Sequence, residues 1–150
     1  MKELNGNASQ VVSAPIEDCF QLLEAVDRYP AWHPAVVKEV DIVERDPDGK
    51  PTRVRTSLHV SVGPIVRDFH LLMALYTTHP TAVSLERLRN QPSDREEFEV
   101  RWHLAEQGAS TRITLDVAAN LSVPRLVPVG GIGHTMATGF VVAAAAAIES

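Results

Sequence analysis

Twenty-three consecutive residues, Leu126 to Ile148, carry no formal charge, although charged residues make up 22% of the 150-residue chain. A stretch of that length has to be buried against something, and a bilayer crossing needs about 20 predominantly apolar residues. This one contains Pro128, four glycines (Gly130, Gly131, Gly133, Gly139), His134, Thr135 and Thr138, and it ends mostly in alanine. Val, Ile, Leu, Met and Phe fill nine of its 23 places. That composition favours a helix buried in a soluble domain over a membrane anchor.

The remaining composition narrows the partners. Fourteen Lys and Arg stand against nineteen Asp and Glu, a net charge of −5, so binding driven by phosphate neutralisation is not expected and nucleic acid is excluded as a primary partner. Cys19 is the single cysteine, which rules out a disulfide scaffold. A chain of this length buries about 68–70% of the surface its unfolded form exposes, enough for a core without staples. The N-terminal MKELNGNASQ lacks the apolar core of a signal peptide. The expectation is one cytoplasmic domain spanning residues 1–150, with no internal repeat or linker.

Periodicity places the elements. A short strand is predicted around Ala8 to Val12, and a helix over Pro15 to Val26, where Ile16, Cys19, Phe20, Leu23 and Val26 recur at spacings of three and four. Pro30 and Pro34 in Asp27-Arg28-Tyr29-Pro30-Ala31-Trp32-His33-Pro34 are expected to end that helix, each by pushing its predecessor out of the helical region, leaving a compact corner of about one helical turn. Alternation then predicts strands from Val36 to the Asp46-Pro47-Asp48-Gly49 turn, over 52–62, over 65–77, over 81–89, and around Phe98-Val100-Trp102-Leu104 and Thr111 to Leu121. The short connections predict an antiparallel meander. The last helix is predicted from about His134, after a broken entry at Pro128 and Gly130-Gly131-Ile132-Gly133. A meander with one apolar face needs a cover, and that helix is the only apolar element long enough.

Val11-Val12-Ser13-Ala14-Pro15 leading into Phe20, the Tyr29-Pro30-Ala31-Trp32 corner, Phe69 and Trp102 together resemble the START-related helix-grip superfamily (SRPBCC). That group includes polyketide cyclase/dehydrases, lipid-transport and coenzyme Q-binding proteins, and the birch-pollen-allergen fold. The resemblance covers nearly the whole chain. It implies an α+β helix-grip fold: a curved antiparallel sheet of six or seven strands around a long C-terminal helix, one or two short helices after the first strand, and a cavity between helix and sheet. Two features depart from it. Val100 stands where the coenzyme Q-binding branch usually has glycine two residues before the strand tryptophan, and the C-terminal helix lacks the charges usual on its outer face.

Familiar catalytic motifs are missing. There is no G-x-S-x-G elbow, P-loop or H-E-x-x-H. Gly131-Ile132-Gly133 is a fragment of a dinucleotide fingerprint with Met136 where the third glycine belongs, so no cofactor is expected. His33, His59, His70, His79, His103 and His134 are scattered through the pattern, and are read as surface histidines rather than metal ligands.

The register of the hairpin 52–62/65–77 decides which residues face inward. A two-residue turn at Gly63-Pro64 pairs Val62 with Ile65 and turns Arg67, Phe69 and Met73 to the cavity side. A three-residue turn would instead bring in Asp68, His70 and Tyr76. The first buries more apolar surface, and glycine followed by proline suits a type II′ turn. Under it the predicted ligand-binding wall is Trp32, Leu58, Val60, Arg67, Phe69, Met73, Phe98, Val100, Trp102, Met136 and Phe140, with Val54 among the neighbours. Trp32 and Trp102 are equally readable as fold anchors. Arg67 sits at a mouth, meets an acidic or carbonyl ligand, or reaches solvent from the sheet edge.

The leading expectation is binding or transport of a small hydrophobic ligand: a lipid, isoprenoid, quinone or polyketide. One alternative is a polyketide aromatase/cyclase or dehydratase, with Arg67 polarising a carbonyl and His70 or Tyr76 relaying a proton. Another is a non-enzymatic partner of ribosomes or respiratory quinones. The uncharged outer face of the last helix, with Val142 and Ala146, marks a candidate homodimer contact or peripheral membrane contact.

Overall fold

In chain order the elements are β1 (Lys2–Val12), α1 (Ile16–Glu24), one 3-10 turn (Val26–Arg28), α2 (Tyr29–Trp32), β2 (Val37–Arg45), β3 (Pro51–Val62), β4 (Ile65–Thr78), β5 (Ala82–Arg87), β6 (Glu97–Gln107), β7 (Ser110–Leu121) and α3 (Ile132–Glu149). The computed structural model describes residues 2–122 and 130–150. The strands form one antiparallel sheet, ordered β1-β7-β6-β5-β4-β3-β2. β2 to β7 are the expected meander. β1 closes on β7, so the α1–α2 connection carries the chain from one edge of the sheet to the other.

Period-two alternation sets the buried face. Val54, Thr56, Leu58 and Val60 of β3, Phe98, Val100, Trp102 and Leu104 of β6, and Ile113, Leu115, Val117 and Ala119 of β7 are all buried, with charged or polar residues between most of them. β2 is bulged at three places along its pairing with β3, and bulges bend and twist an edge strand. The β3–β4 turn is the two-residue one: Val62 pairs with Ile65, Gly63 has φ 56°, and the ring of Pro64 holds a negative φ, the combination a type II′ turn requires.

α3 lies against β1 and β7. Ile132, Ala137, Phe140, Val141, Ala144 and Ala145 make its buried face, while Thr138, Val142 and Ala146 are exposed on the other. By length and composition α3 passes the test for a bilayer-crossing helix, yet in the fold one of its faces is core. Its ends are tied down: His134 Nδ1 lies 2.9 Å from the Asn7 carbonyl oxygen, and the Ser13 N–H donates to Glu149 Oε1 at 2.9 Å.

Several boundaries differ from the sequence expectation. β1 begins at Lys2, not Ala8, because it pairs residue by residue with β7 from Lys2–Leu121 to Val12–Thr111; a ladder, not an apolar pattern, holds the polar Asn5-Gly6-Asn7 stretch. α1 stops at Glu24, since Ala25 (φ −79°, ψ 66°) already leaves the helical region. Pro30 does not break the corner. Tyr29 before it is helical (φ −53°, ψ −38°), and Pro30 occupies the first turn of α2, where a missing N–H is harmless. Pro34 does act as expected, with His33 out of the helical region (φ −136°, ψ 56°). α3 starts two residues before His134, and Pro128 lies outside the described residues.

Candidate ligand-binding site

The sheet and α3 do not close against each other everywhere. The β2–β3 ladder starts at Val37–Leu58, with one further bond from the His59 N–H to the Val36 carbonyl at 2.7 Å. β3 runs on to Val62, so among the described residues its last ones have no strand neighbour on the β2 side. There a groove of about 290 Å³ opens between β3 and α3. His33, Ala35 and Val36 form one wall, and His59 to Val62 a second. Thr135, Met136, Gly139 and Phe140 of α3 supply the third.

Phe140 also lines a separate interior void of about 30 Å³, among Tyr29, Val40, Thr56, Leu58, Met73, Leu85, Phe98 and Val100. That space is about the share of liquid one water occupies. Among the described residues, this interior space is small, and the larger apolar space beside it is the groove. The depression of about 350 Å³ beside Glu86, Glu97 and Glu99 is polar and lies away from the grip.

Gly139 shapes the groove. It sits mid-helix, where glycine is about 1 kcal/mol less favourable than alanine, and its φ lies outside the left-handed range. A Cβ there would meet nothing nearer than His33 Cε1 at 3.9 Å, an ordinary contact. Backbone strain and close packing therefore do not demand glycine at this position.

The polar accounting also points to this corner. Among the described residues, the buried side-chain nitrogens or oxygens with no partner are Trp32 Nε1 and His33 Nε2. The His33 ring meets Phe140 edge-on, with centroids 4.5 Å apart and planes at 65°; Trp32 lies nearly parallel to it at 6.1 Å. Burial holds the His33 imidazole below the ordinary histidine pKa, favouring the neutral ring. The reading of His33 as a scattered surface histidine is corrected by this placement. The signals in the sequence were its position beside Trp32 in the corner and a lone glycine inside an alanine-rich helix.

The predicted wall residues divide into four groups. Val60, Met136 and Phe140 line the groove, and Leu58, Met73, Phe98, Val100 and Phe140 the interior void. Trp32 packs against the core beside His33. Phe69, Trp102 and Arg67 are placed elsewhere. Phe69 is buried under the Arg67 guanidinium, 4.4 Å from its ring centroid. Trp102 is 1% exposed and its indole is hydrogen-bonded to the Tyr29 hydroxyl, which donates to the Leu23 carbonyl at 2.6 Å. Trp102 is a fold anchor, and burial holds the Tyr29 phenol far above its ordinary pKa.

Arg67 does face inward, but it is already paired. Its Nη1 and Nη2 donate to the two Glu96 carboxylate oxygens at 3.0 and 3.1 Å, and Glu96 also accepts the Ser122 N–H at 2.8 Å. Of the readings open to Arg67, an acidic ligand is not needed as counter-charge, because the β5–β6 loop provides the carboxylate, and the side chain remains partly solvated. Of the other catalytic candidates, Tyr76 is 58% exposed on the outer face. His70 is exposed with Nδ1 3.1 Å from Ser57 Oγ, and Asp68 beside it pairs with His59 at 2.6 Å. Among the described residues no three acidic, histidine or cysteine side chains cluster as metal ligands would.

Residues 5–149 match the model of the family described as polyketide cyclase / dehydrase and lipid transport. The chain belongs to this family. Among solved structures, the fold of this polyketide cyclase/dehydrase and lipid transport family member is similar to a START superfamily protein from Mycobacterium smegmatis, with TM-score 0.80 at 19% identity over 97% of each chain. A conserved protein from Geobacillus kaustophilus superposes with TM-score 0.72 at 14% identity, over 97% of this chain and 95% of that one. An aromatase/cyclase from Streptomyces sp. R1128 gives 0.61 at 15% identity, over 99% and 94%. These likenesses establish the helix-grip fold. No curated protein matches the chain.

Proposed function

We propose that this protein binds one small, largely apolar molecule in the groove between α3 and the end of β3. The reading is carried by Gly139: a helix position that gives up stability with no steric need for glycine leaves room beside His33 inside an apolar groove. At about 290 Å³ the groove falls at the lower end of the roughly 300–1,000 Å³ typical of ligand sites. It suits a compact ring system better than a long acyl chain, and the interior void offers no room for a tail. Arg67, His70 and Tyr76 lie outside the groove, so the residues nominated for the cyclase reading do not meet there, and binding is the function the geometry supports best.

The test is a fluorescence titration with N-phenyl-1-naphthylamine against the wild-type protein and Gly139→Leu. Saturable one-to-one binding by the wild type, lost in a variant that melts no lower, is the expected result. An absence of saturable binding by the wild type refutes the reading. Mass spectrometry of organic extracts of the purified protein would then identify a natural occupant.

A further inference from the structure

We propose that the main chain of Ser61 is the polar anchor of this groove, selecting an apolar ring compound with a hydrogen-bond acceptor and donor side by side on one edge, as in a lactam; the inference rests on the binding reading above. Val62 and Ile65 flank a two-residue turn and form a hydrogen-bonded pair, so the next pair, Ser61 and Val66, is a non-hydrogen-bonded one. The Ser61 N–H and C=O therefore point away from β4, toward the side on which β2 lies. His59, of the same parity, shows the direction: its N–H reaches the Val36 carbonyl at 2.7 Å. Beyond that bond the neighbouring chain turns off, the Val36 and Val37 N–H groups both donating to the His33 carbonyl. Among the described residues the Ser61 N–H and C=O meet no partner. Ser61 is exposed and lines the groove, which opens on that same side of β3.

This free edge is one residue long, because Val62 is engaged with Ile65 and the His59 N–H with Val36. That is too short to add a peptide strand, whose main-chain bonds recur at every second residue, and enough for one small molecule. In an extended residue the N–H and C=O lie side by side, so a ring edge with an acceptor next to a donor matches both: the acceptor takes the Ser61 N–H and the donor gives to the Ser61 C=O. The other polar groups of the groove are already engaged. The Thr135 hydroxyl donates to the Gly131 carbonyl at 3.0 Å, and His59 Nδ1 is held by Asp68 at 2.6 Å. The Ser61 side chain shares the outer face with His59, two residues away. No Lys, Arg, Asp or Glu lines the groove, so a charged ligand would be stripped of water with no counter-charge at hand. A neutral lactam, pyridone or carboxamide on an apolar ring fits both the walls and the edge.

Paired titrations of naphthalene and 2-quinolone, which places an adjacent N–H and C=O on the same two-ring frame, test this. Ser61→Ala removes the hydroxyl and keeps both main-chain groups. Ser61→Pro removes the N–H aimed at the groove, a change an edge position tolerates because no ladder bond is lost. The expected result is equal 2-quinolone binding by wild type and Ser61→Ala, about tenfold weaker binding by Ser61→Pro, and naphthalene binding that is the same in all three. In parallel, the Ser61 amide proton of the wild type should lie further downfield with 2-quinolone bound than with naphthalene; this readout needs no variant to fold. Equal 2-quinolone affinity for wild type and Ser61→Pro, or one amide position with both compounds, overturns the anchor. A loss in Ser61→Ala as large as in Ser61→Pro assigns the role to the hydroxyl and overturns it too. If N-phenyl-1-naphthylamine binds the wild type and 2-quinolone does not, the anchor falls while the groove stands. If none of the three compounds binds, both readings fall.

Discussion

Gly6 of β1 and Gly133 of α3 meet backbone to backbone: a Cβ on Gly6 would collide with the main chain of Gly133 and His134, and one on Gly133 with that of Asn5. Neither obstacle is the movable tip of a side chain, so a methyl group at either position has to push helix and strand apart. Gly6→Ala and Gly133→Ala should each lower stability by roughly 1–3 kcal/mol, as overpacked sites do. Gly130→Ala, with open space around its Cβ, should stay within about 0.5 kcal/mol of wild type. Urea denaturation of the three variants is the measurement; equal effects would mean that the contact between β1 and α3 is not tight.

Gly139 predicts the opposite sign. Gly139→Ala should raise stability by roughly 0.5–1 kcal/mol, because a helix interior gains from alanine and the added methyl meets His33 Cε1 at an ordinary 3.9 Å. The same variant should bind N-phenyl-1-naphthylamine more weakly. Stability and binding moving in opposite directions is the signature of a position held for function.

Tyr29→Phe removes an oxygen that serves two buried groups, accepting from the Trp102 indole and donating to the Leu23 carbonyl. Both lose that partner, so the loss should reach roughly 2–3 kcal/mol, more than one ordinary hydrogen bond is worth. Thermal or urea unfolding reads it directly, and a loss below about 0.5 kcal/mol would exclude the bridging role.

Two groups make stability fall as the pH is lowered, each in its own window. Burial lowers the folded-state pKa of His33, so below the ordinary histidine value of about 6.5 the unfolded chain takes up a proton that the folded one resists. Stability contributed by the neutral ring is complete above that pH and declines as the pH falls through the window toward the folded value. Wild type minus His33→Gln in urea unfolding between pH 5 and 8 isolates this slope from the other histidines.

Glu96 is held below the usual carboxylate range first by the hydrogen bonds from Arg67 and further by the Ser122 N–H. Its contribution is present above the unfolded value of about 4.3 and lost as the pH drops through the folded one. With Arg67 partly solvated, the pair should be worth about 1 kcal/mol. Glu96→Gln should remove it at pH 7 and flatten the acid limb of the stability curve.

The alternation of β3, β6 and β7, the Gly63-Pro64 turn and the uncharged C-terminal run made the fold legible, because each is a local pattern that one layer of burial reads directly. The inward set Leu58, Val60, Phe69, Met73, Phe98 and Val100 was legible for the same reason. The partner of Arg67 was not. Glu96 lies 29 residues away in a loop, and no periodicity links a loop carboxylate to a strand guanidinium.

The sequence by itself determined which face of each strand is buried and that α3 must cover it, since side-chain period and apolar composition are local properties. Only the tertiary structure decided how completely the grip closes. Phe140, Met73, Phe98 and Val100 pack until about 30 Å³ remains between them, while β2 leaves the sheet at Val36 and Gly139 withholds a side chain, so the open space falls beside His33. Packing density and the fate of a buried nitrogen depend on residues far apart in the chain meeting at one point, and no window of sequence contains that meeting.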